Sequence, residues 1–187
     1  MFEFLITQGA SIPQDAGYAM LAGLSRQFPF LHGREDIQVA PIIGTLRRNK
    51  VVVTHRGSRL HIRGITAEEA ATIAGGWFQI EGQVIGIGAY TEITHALPPI
   101  AALVSRRVIF EGATTREDFA MALVKTIPVG TPFQILRRGT LSMKGKHFIG
   151  YGVRLSSLVP EDCKTVLTQG LGKFTSMGCG VFAESTR

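Results

Sequence analysis

The alternation of hydrophobic and polar positions in the first half of the chain predicts elements in the order β-α-β-β-α-β. Residues 2–7 are rich in strand-forming side chains, and a helix is predicted from Pro13 to Pro29. Thr66 and Glu69 have the spacing of a capping box, which indicates the start of a second helix. The other elements predicted in this half are strands near 37–46 and 50–63, a helix over 67–74, and a strand over 77–90 that is interrupted by Gly82, Gly86 and Gly88.

After the prolines at 98 and 99 the same order of elements begins again. The predicted elements are a strand over 106–111, a helix capped by Thr114 and Glu117 that ends at Pro128, a two-stranded stretch over 133–155, a helix from Pro160 to Gly170, and a short strand at Val181 and Phe182. The predicted fold class is therefore α+β, with tandem ferredoxin-like (RRM-like) units over residues 1–97 and 98–187. A single domain with a larger mixed sheet is the alternative, and the proline-rich joint argues against it.

The composition is that of a globular protein, and it excludes several classes. Of the 187 residues, 45% are hydrophobic and 18% are charged, which rules out wholesale disorder. No run approaches the roughly 18 apolar residues of a membrane span, and Glu3 stands where a signal peptide needs positive charge. Cys163 and Cys179 have no second pair, so neither a disulfide framework nor a zinc site is expected. We expect a cytoplasmic protein without metal, cofactor or membrane contact.

The net charge of +6 is distributed unevenly along the chain. Residues 1–99 hold 8 basic and 8 acidic residues, whereas residues 100–187 hold 12 basic and 6 acidic ones. An excess of positive charge in one half is typical of a protein that binds a polyanion.

Two clusters of basic residues contain no acidic residue, although a merely solvated face normally mixes both signs. We therefore predict that both clusters contact nucleic acid. The first consists of Arg47, Arg48, Lys50, Arg56, Arg59 and Arg63; the second, on the predicted hairpin, consists of Arg137, Arg138, Lys144, Lys146 and Arg154. Strict alternation over 59–63 puts Arg59, His61 and Arg63 on one face of a strand.

A glycine-rich loop near the C-terminus is the most specific segment of the sequence. The pairs Gly170/Gly172 and Gly178/Gly180 bracket Lys173 between a helix and the last strand. Glycines let backbone N–H groups approach a polyanion closely, and a lysine adds positive charge. The loop matches neither a Walker motif nor a dinucleotide fingerprint, because it follows a helix and lacks the required frame. We predict that the loop binds a polyanion. The alternative is that it is only a tight connection whose glycines need positive φ.

This glycine loop, at the end of two predicted ferredoxin-like units, resembles that of the RAMP superfamily of CRISPR-associated proteins. Within the superfamily, residues 12–21 (Ile-Pro-Gln-Asp-Ala-Gly-Tyr-Ala-Met-Leu), Leu24-Ser25-Arg26 and Leu31-His32 are similar to the small repeat-processing endoribonuclease of the MYXAN subtype. The similarity spans the chain from the first strand to Phe182. It implies an enzyme that cuts precursor CRISPR RNA within each repeat without metal, and several such relatives stay bound to the product.

That reaction needs positioned proton donors and acceptors, because the 2′-hydroxyl of the RNA is itself the nucleophile. The upstream product would end in a 2′,3′-cyclic phosphate. His32 is the predicted catalytic residue and Tyr18 its assistant, with a loop histidine and a half-buried core aromatic as their structural alternatives. The resemblance implies a histidine at position 16, where this chain has Ala16. Alanine transfers no proton, so the chain either uses another residue or is a divergent or inactivated form.

The remaining histidines are weaker candidates. His61 is predicted to contact RNA or solvent, His147 to lie in the core or an interface, and His55 and His95 to lie in loops.

Two hypotheses for function remain open on the sequence. The first is a metal-independent endoribonuclease that cuts precursor CRISPR RNA within the repeat to give mature crRNA and retains the repeat hairpin. The second is a non-catalytic RAMP subunit that binds crRNA in an interference complex beside other subunits. Ala16 favours the second, whereas His32 and the small size of the chain favour the first. A metabolic enzyme is disfavoured by the charge asymmetry.

The expected partner is the stem-loop of a CRISPR repeat RNA, bound at its stem phosphates by the predicted basic hairpin.

Overall fold

Two main antiparallel sheets organise the computed structural model, which describes residues 1–47, 50–53, 57–94 and 101–185. The chain divides into two compact units, Met1–Thr94 and His95–Arg187. The predicted boundary after residue 97 lies outside the described residues and stays a prediction. Arg48, His55, Arg56 and His95 lie outside them as well.

The described part of the N-terminal unit contains eight strands, two α-helices and a 3-10 helix. These are β1 (Phe2–Gln8), β2 (Ser11–Pro13), α1 (Gly17–Gln27), the 3-10 helix Pro29–Leu31, β3 (Gln38–Val39), β4 (Thr45–Arg47), β5 (Lys50–Val52), β6 (Arg59–Arg63), α2 (Ala67–Ile73), β7 (Trp77–Ile80) and β8 (Gln83–Glu92). The main sheet has the order β3-β6-β1-β8-β7, and a smaller sheet has the order β2-β5-β4. The order β3-β6-β1-β8, with α1 and α2 as crossovers, is the predicted ferredoxin-like arrangement.

The edge strand β7 results from a turn at Gly82, one of the glycines that interrupt the predicted strand over 77–90. Glu81 and Gly82 both adopt positive φ and fold this stretch into the β7–β8 hairpin. Two consecutive residues with positive φ are typical of the tight turns that match the twist of paired strands.

Helix α1 begins at Gly17 rather than at Pro13, because Ser11–Pro13 pair with β5 as a strand. Ala16 is therefore the N-cap of α1, and with 7% exposure its side chain belongs to the hydrophobic core. The capping box predicted for α2 is present: Thr66 Oγ1 accepts a hydrogen bond from the Glu69 amide, and Glu69 Oε2 accepts one from the Thr66 amide.

The core of the N-terminal unit lies between the main sheet and its helices. Phe4 and Ile6 of β1 and Leu24 of α1 are almost completely buried there. Helix α1 rests directly on β7 at Gly23, where a Cβ atom would lie 2.2 Å from the carbonyl oxygen of Gln79. This glycine permits the close approach of helix and sheet.

The described part of the C-terminal unit repeats the arrangement with four strands. Its elements are β9 (Ala101–Val108), α3 (Arg116–Thr126), β10 (Phe133–Met143), β11 (Lys146–Leu158), α4 (Pro160–Gln169), the 3-10 helix Thr175–Met177 and β12 (Ala183–Glu184). The sheet order β10-β11-β9-β12 is again ferredoxin-like. Phe119 and Leu123 of α3 and Val166 of α4 fill its core.

Three details of this unit differ from the prediction. The strand predicted over 106–111 is Ala101–Val108, so it begins and ends earlier in the chain. The capping box of α3 consists of Thr115 and Asp118 rather than Thr114 and Glu117, because the helix begins one residue later. The last strand is Ala183–Glu184, whereas Val181 and Phe182 precede it and are buried in the unit.

Candidate nucleic-acid interface

Strands β10 and β11 form a long hairpin that carries exposed positive charge. They pair as far as Met143 and Lys146, whereas β9 flanks β11 only from Tyr151 onward, so the hairpin extends beyond the central strand. Four of the predicted side chains are exposed on it, and in the described part of the chain none of the four takes part in an ion pair. We call them the basic hairpin: Arg137, Arg138, Lys144 and Lys146. Arg154 lies further down β11 and is half-buried.

Arg107 on β9 is a basic residue that the predicted clusters omit. Gly139 and Gly150 face each other across the hairpin, and both leave space for the Arg107 side chain. A Cβ atom on Gly150 would lie 2.9 Å from Arg107 Cγ, and one on Gly139 would lie 3.3 Å from its Nε. The cross-strand glycine pair is the sequence signal for such a crossing side chain, but only the register between β9 and β11 identifies Arg107.

The glycine loop (residues 170–180) connects α4 to β12. Gly170, Gly172, Gly178 and Gly180 all have positive φ, between +66° and +78°. Glycine adopts this conformation without the penalty that a Cβ atom brings.

Three of these glycines pack against the backbone of their own unit, and a Cβ atom on Gly170 would lie 2.7 Å from the Gly180 carbonyl oxygen. A Cβ atom on Gly172 would lie 2.3 Å from the Ile109 carbonyl oxygen, and one on Gly180 would lie 1.8 Å from that of Leu171. Hydrogen bonds fix the same crossings, from the Lys173 amide to Ile109 O (2.8 Å) and from the Leu171 amide to Gly180 O (3.0 Å). Their missing side chains therefore serve packing, and RNA binding by the loop glycines stays a prediction.

Lys173 presents its side chain at the surface of the loop. Its Nζ lies 2.5 Å from Glu111 Oε2, and both side chains are more than half exposed. The hydrogen bond and charge of Lys173 hold the pKa of Glu111 below its usual value. The predicted site residue thus has an acidic neighbour, which is distant in sequence.

The first basic cluster is engaged partly with its own sheet. Arg47 and Lys50 face each other in the β4–β5 register, and Arg48 lies between them outside the described residues. The Glu3 carboxylate accepts a hydrogen bond from His61 Nε2 (2.8 Å), with the shared proton on the ring nitrogen. It also lies 3.8 Å from Arg59 Nε.

The third member of this strand face is Arg63. Its Nη1 donates a hydrogen bond to Gln38 Oε1 (3.2 Å), and burial lowers the pKa of its guanidinium. The predicted alternation over 59–63 is present, with Leu60 and Ile62 fully buried and the three basic side chains half-buried on the opposite face. Strand β1 pairs with β6 and brings the Glu3 carboxylate beside a cluster that contains no acidic residue in sequence.

Tyr18 lies at the start of α1, whereas His32 follows the end of that helix. Tyr18 is half-buried in the first turn of α1, and His32 is exposed after the 3-10 helix that follows α1. The axial rise from Tyr18 to Gln27 is roughly 14 Å at 1.5 Å per residue. Within the described residues no hydrogen bond joins the two side chains. The catalytic roles of the two residues stay predictions.

Arg34 is a residue near His32 that the sequence pattern did not single out. Its guanidinium bonds Asp36 Oδ2 (2.5 Å), Glu69 Oε1 (2.7 Å) and the carbonyl oxygen of Gly64. The Arg34 hydrogen bond holds the pKa of Asp36 below its usual value. These contacts tie the loop that follows His32 to the capping box of α2, and they limit the freedom of that loop.

His147 is exposed, so the core is the wrong one of its two predicted placements, and an interface stays a prediction. It alternates with Ile149 and Tyr151 as expected, but it lies on the part of the hairpin that extends beyond β9. Its Nδ1 lies 3.0 Å from Ser142 Oγ on the facing strand. Among the described residues, no group of three or more His, Cys, Asp or Glu side chains is placed to hold a metal ion.

The described geometry is thus a ferredoxin-like pair with an acid-free basic hairpin and a tightly packed glycine loop. A family model described as Cas6 Crispr matches residues 2–187. The chain belongs to the Cas6 family. The chain is also 29% identical over 184 residues to a CRISPR-associated endonuclease Cas6 of Myxococcus xanthus (strain DK1622), covering 96% of this chain and 79% of that protein.

Solved structures support the fold of this Cas6-family chain. A RAMP protein that binds different RNA substrates superposes with a TM-score of 0.67 at 14% identity, covering 98% of both chains. Thermus thermophilus Cse3, bound to an RNA representing a pre-cleavage complex, superposes with a TM-score of 0.58 at 16% identity, covering 98% of this chain and 97% of that one. At these identities the likeness establishes the tandem ferredoxin-like fold. None of the described helices is both long enough and apolar enough to span a membrane.

Proposed function

We propose that this Cas6-family chain is a metal-independent endoribonuclease that cuts precursor CRISPR RNA within the repeat to give mature crRNA. The observation that carries the proposal is the basic hairpin. In a chain whose 29% identical relative is named a CRISPR-associated endonuclease, four exposed basic side chains lie together without an ion pair in the described part of the chain. An ordered surface of this kind suits the phosphates of an RNA stem.

The basic hairpin and Arg107 would grip the stem of the repeat hairpin and retain it after cleavage. The deep, narrow major groove of an A-form stem hides its base edges from side chains. Sequence preference would therefore come from the base of the stem and from the flanking single strand. Lys173 and the exposed backbone at Gly172 would add contacts beside the hairpin.

His32 would transfer a proton during attack of the 2′-hydroxyl on the scissile phosphate. It is exposed and held by a loop that Arg34 ties down, so it can meet a substrate without rearrangement of the core. Its amide donates a hydrogen bond to Pro29 O (3.0 Å), which fixes its backbone. Tyr18, in the first turn of α1, would assist by contacting the RNA. The product would end in a 2′,3′-cyclic phosphate.

Position 16 would limit the rate of this chain. Ala16 stands at the N-cap of α1, where the resemblance implies a histidine, and it leaves His32 to carry the proton transfer alone. The same observation supports the second candidate, a non-catalytic subunit that holds crRNA in an interference complex.

Single-turnover cleavage of the repeat RNA by wild type and by His32→Ala separates the two candidates. The endoribonuclease cuts the repeat at one position and not a scrambled stem-loop, and His32→Ala slows it at least tenfold with unchanged affinity. Tight binding without any cut at excess protein would support the non-catalytic subunit. Gln27→Ala, at an exposed position at the end of α1, is the matched control and should cut like wild type.

A further inference from the structure

A cavity of about 280 Å³ opens in the C-terminal unit beside the glycine loop. Three segments line it: residues 109–114 after β9, residues 147–149 of β11, and Lys173 with Phe174 of the loop. Its volume is at the lower end of small-molecule sites, which fits one planar ring system better than a larger ligand. Strand β11 of the hairpin and the glycine loop thus both line this cavity, which lies outside the basic hairpin residues themselves.

Two aromatic rings form a wall of this cavity. The centroids of Phe148 and Phe174 are 4.8 Å apart, and their planes are inclined by 59°. Phe174 adopts a left-handed backbone conformation with φ of +65°, which is rare for a bulky side chain. Strained conformations of this kind persist where the surroundings fix them, and they cluster at ligand sites.

The backbone around Phe174 holds its ring in that position. The Phe174 carbonyl oxygen accepts hydrogen bonds from the amides of Met177 (2.9 Å) and Cys179 (3.1 Å), and the preceding amide, of Lys173, donates to Ile109 O. The close packing of Gly172 and Gly180 restrains both sides of the residue. The loop therefore presents the ring in advance of any ligand.

The rim of the cavity offers a donor and an acceptor side by side. Lys173 Nζ and Glu111 Oε2 are in contact at 2.5 Å, and both side chains remain accessible to solvent. The edge of a nucleobase likewise carries donors and acceptors next to each other. Guanine matches best, since a carboxylate accepts from its two neighbouring N–H groups while an ammonium donates to its carbonyl oxygen.

We propose that this cavity binds one unpaired nucleobase of the repeat RNA, with guanine as the best-matched base. The proposal rests on the proposed function, because the basic hairpin would deliver the flanking single strand to the cavity. Lys146 of the hairpin directly precedes the cavity-lining segment 147–149, so phosphate contacts and the cavity are adjacent. Stacking of splayed bases on aromatic side chains is the common mode of single-stranded RNA recognition.

Nucleotide titration of the ¹⁵N-labelled full-length protein tests the cavity without relying on repeat RNA. Amide shifts of Phe148 and Phe174 are followed with GMP, AMP, CMP and UMP, and with ribose 5-phosphate, which lacks a base. We expect saturable shifts that are largest with GMP and absent with ribose 5-phosphate. Equal shifts with ribose 5-phosphate would overturn the proposal, because they would report phosphate on Lys173 alone. The absence of any shift with all four nucleotides at millimolar concentration would overturn it as well.

Variants of the rings test the same cavity on the RNA. Phe148→Leu removes the stacking face, and Phe174→Gly removes the ring while relieving the positive φ, so that the loop keeps its fold. Each should weaken binding of the repeat RNA about 5- to 100-fold, as expected when a base loses its aromatic partner. Phe133→Leu is the matched control, since Phe133 is an exposed phenylalanine on β10 outside the cavity. Thermal melting of each variant identifies any that fails to fold.

Failure of this inference differs from failure of the proposed function. If the wild type binds and cuts the repeat, and a folded Phe174→Gly variant binds it equally well, the cavity has no role and the proposed function stands. If the wild type neither binds nor cuts the repeat, the proposed function fails, and the nucleotide titration still decides whether the cavity takes a base.

Discussion

At the scale of single residues, pairing across strands decides which basic side chains are available to RNA. Arg59 belongs to a cluster without acidic residues in sequence. In the sheet, however, Glu3 on the neighbouring strand lies near Arg59 and accepts a hydrogen bond from His61. Arg137 and Lys144 have no such partner in the part of the chain that the structure describes. Screening weakens the binding of exposed charges to phosphates as salt rises, so the hairpin residues should dominate the salt dependence.

Replacing Arg137 and Lys144 by alanine should therefore flatten the salt dependence of repeat-RNA binding. Each lost phosphate contact removes roughly 0.7–0.9 from the slope of log K against log salt. The measurement is affinity over a salt series. Lys125→Ala with Lys164→Ala, on exposed positions of α3 and α4, changes the net charge equally and should leave the slope unchanged. Equal slopes for the wild type and the hairpin variant would remove these residues from the interface.

Ala16 is the residue at which rate and stability should change in opposite directions. Ala16→His supplies a proton-transfer group at the start of α1, and one such group typically contributes about 10²–10⁴-fold. We expect single-turnover cleavage to rise at least tenfold. Because Ala16 is buried at 7% exposure, the larger side chain should also cost about 1–3 kcal/mol of unfolding free energy. Ala16→Leu adds bulk without a group that can transfer a proton, and it should show only the loss of stability. A flat rate in Ala16→His would contradict the role implied for this position.

At the scale of elements, the glycine loop and the helix caps decide how the site is supported. Gly145 and Gly180 both have positive φ, but a Cβ atom on Gly145 meets nothing within 4 Å, whereas one on Gly180 would lie 1.8 Å from Leu171 O. The same residue type thus serves a free turn in the hairpin and a backbone crossing in the loop.

Gly180→Ala should therefore lower the melting temperature much more than Gly145→Ala does. Positive φ alone costs about 1–2 kcal/mol for a residue with a Cβ atom, and it is common to both variants. The additional loss in Gly180→Ala measures the crossing at Leu171. Similar melting temperatures for the two variants would mean that the loop relaxes around the added methyl group.

The capping box of α3 should make stability depend on pH in the acidic range. Hydrogen bonds from Thr115 hold the pKa of Asp118 below its usual value of about 3.9. A carboxylate with a depressed pKa stabilises the folded state above its unfolded pKa, and this stabilisation disappears as the pH falls through the folded value. Asp118→Asn should therefore have a lower melting temperature than the wild type at pH 6. Its melting temperature should also fall less steeply than that of the wild type between pH 5 and pH 3. Glu117→Gln, outside the capping box, is the charge-matched control, and it should keep the wild-type slope.

At the scale of the whole molecule, local patterns predicted the order of elements but not the contacts between distant segments. The α2 capping box and the alternation over 59–63 are set by neighbouring residues, so the sequence was sufficient for both. The ion pairs of Glu3 and Glu111 depend on strand register and loop crossings, which join residues far apart in the chain. The cavity lined by Phe148 and Phe174 also requires three segments to meet, and no local pattern shows this.

The central claim is that this Cas6-family chain cuts repeat RNA by way of the 2′-hydroxyl without metal. End-group mapping of the products of the repeat RNA, incubated with excess protein in EDTA, tests it most directly. We predict a single cut in EDTA, a 2′,3′-cyclic phosphate on the upstream product, and no cut when the nucleotide before the scissile phosphate is 2′-deoxy. Cleavage that requires Mg²⁺, or that proceeds on the 2′-deoxy RNA, would contradict the account.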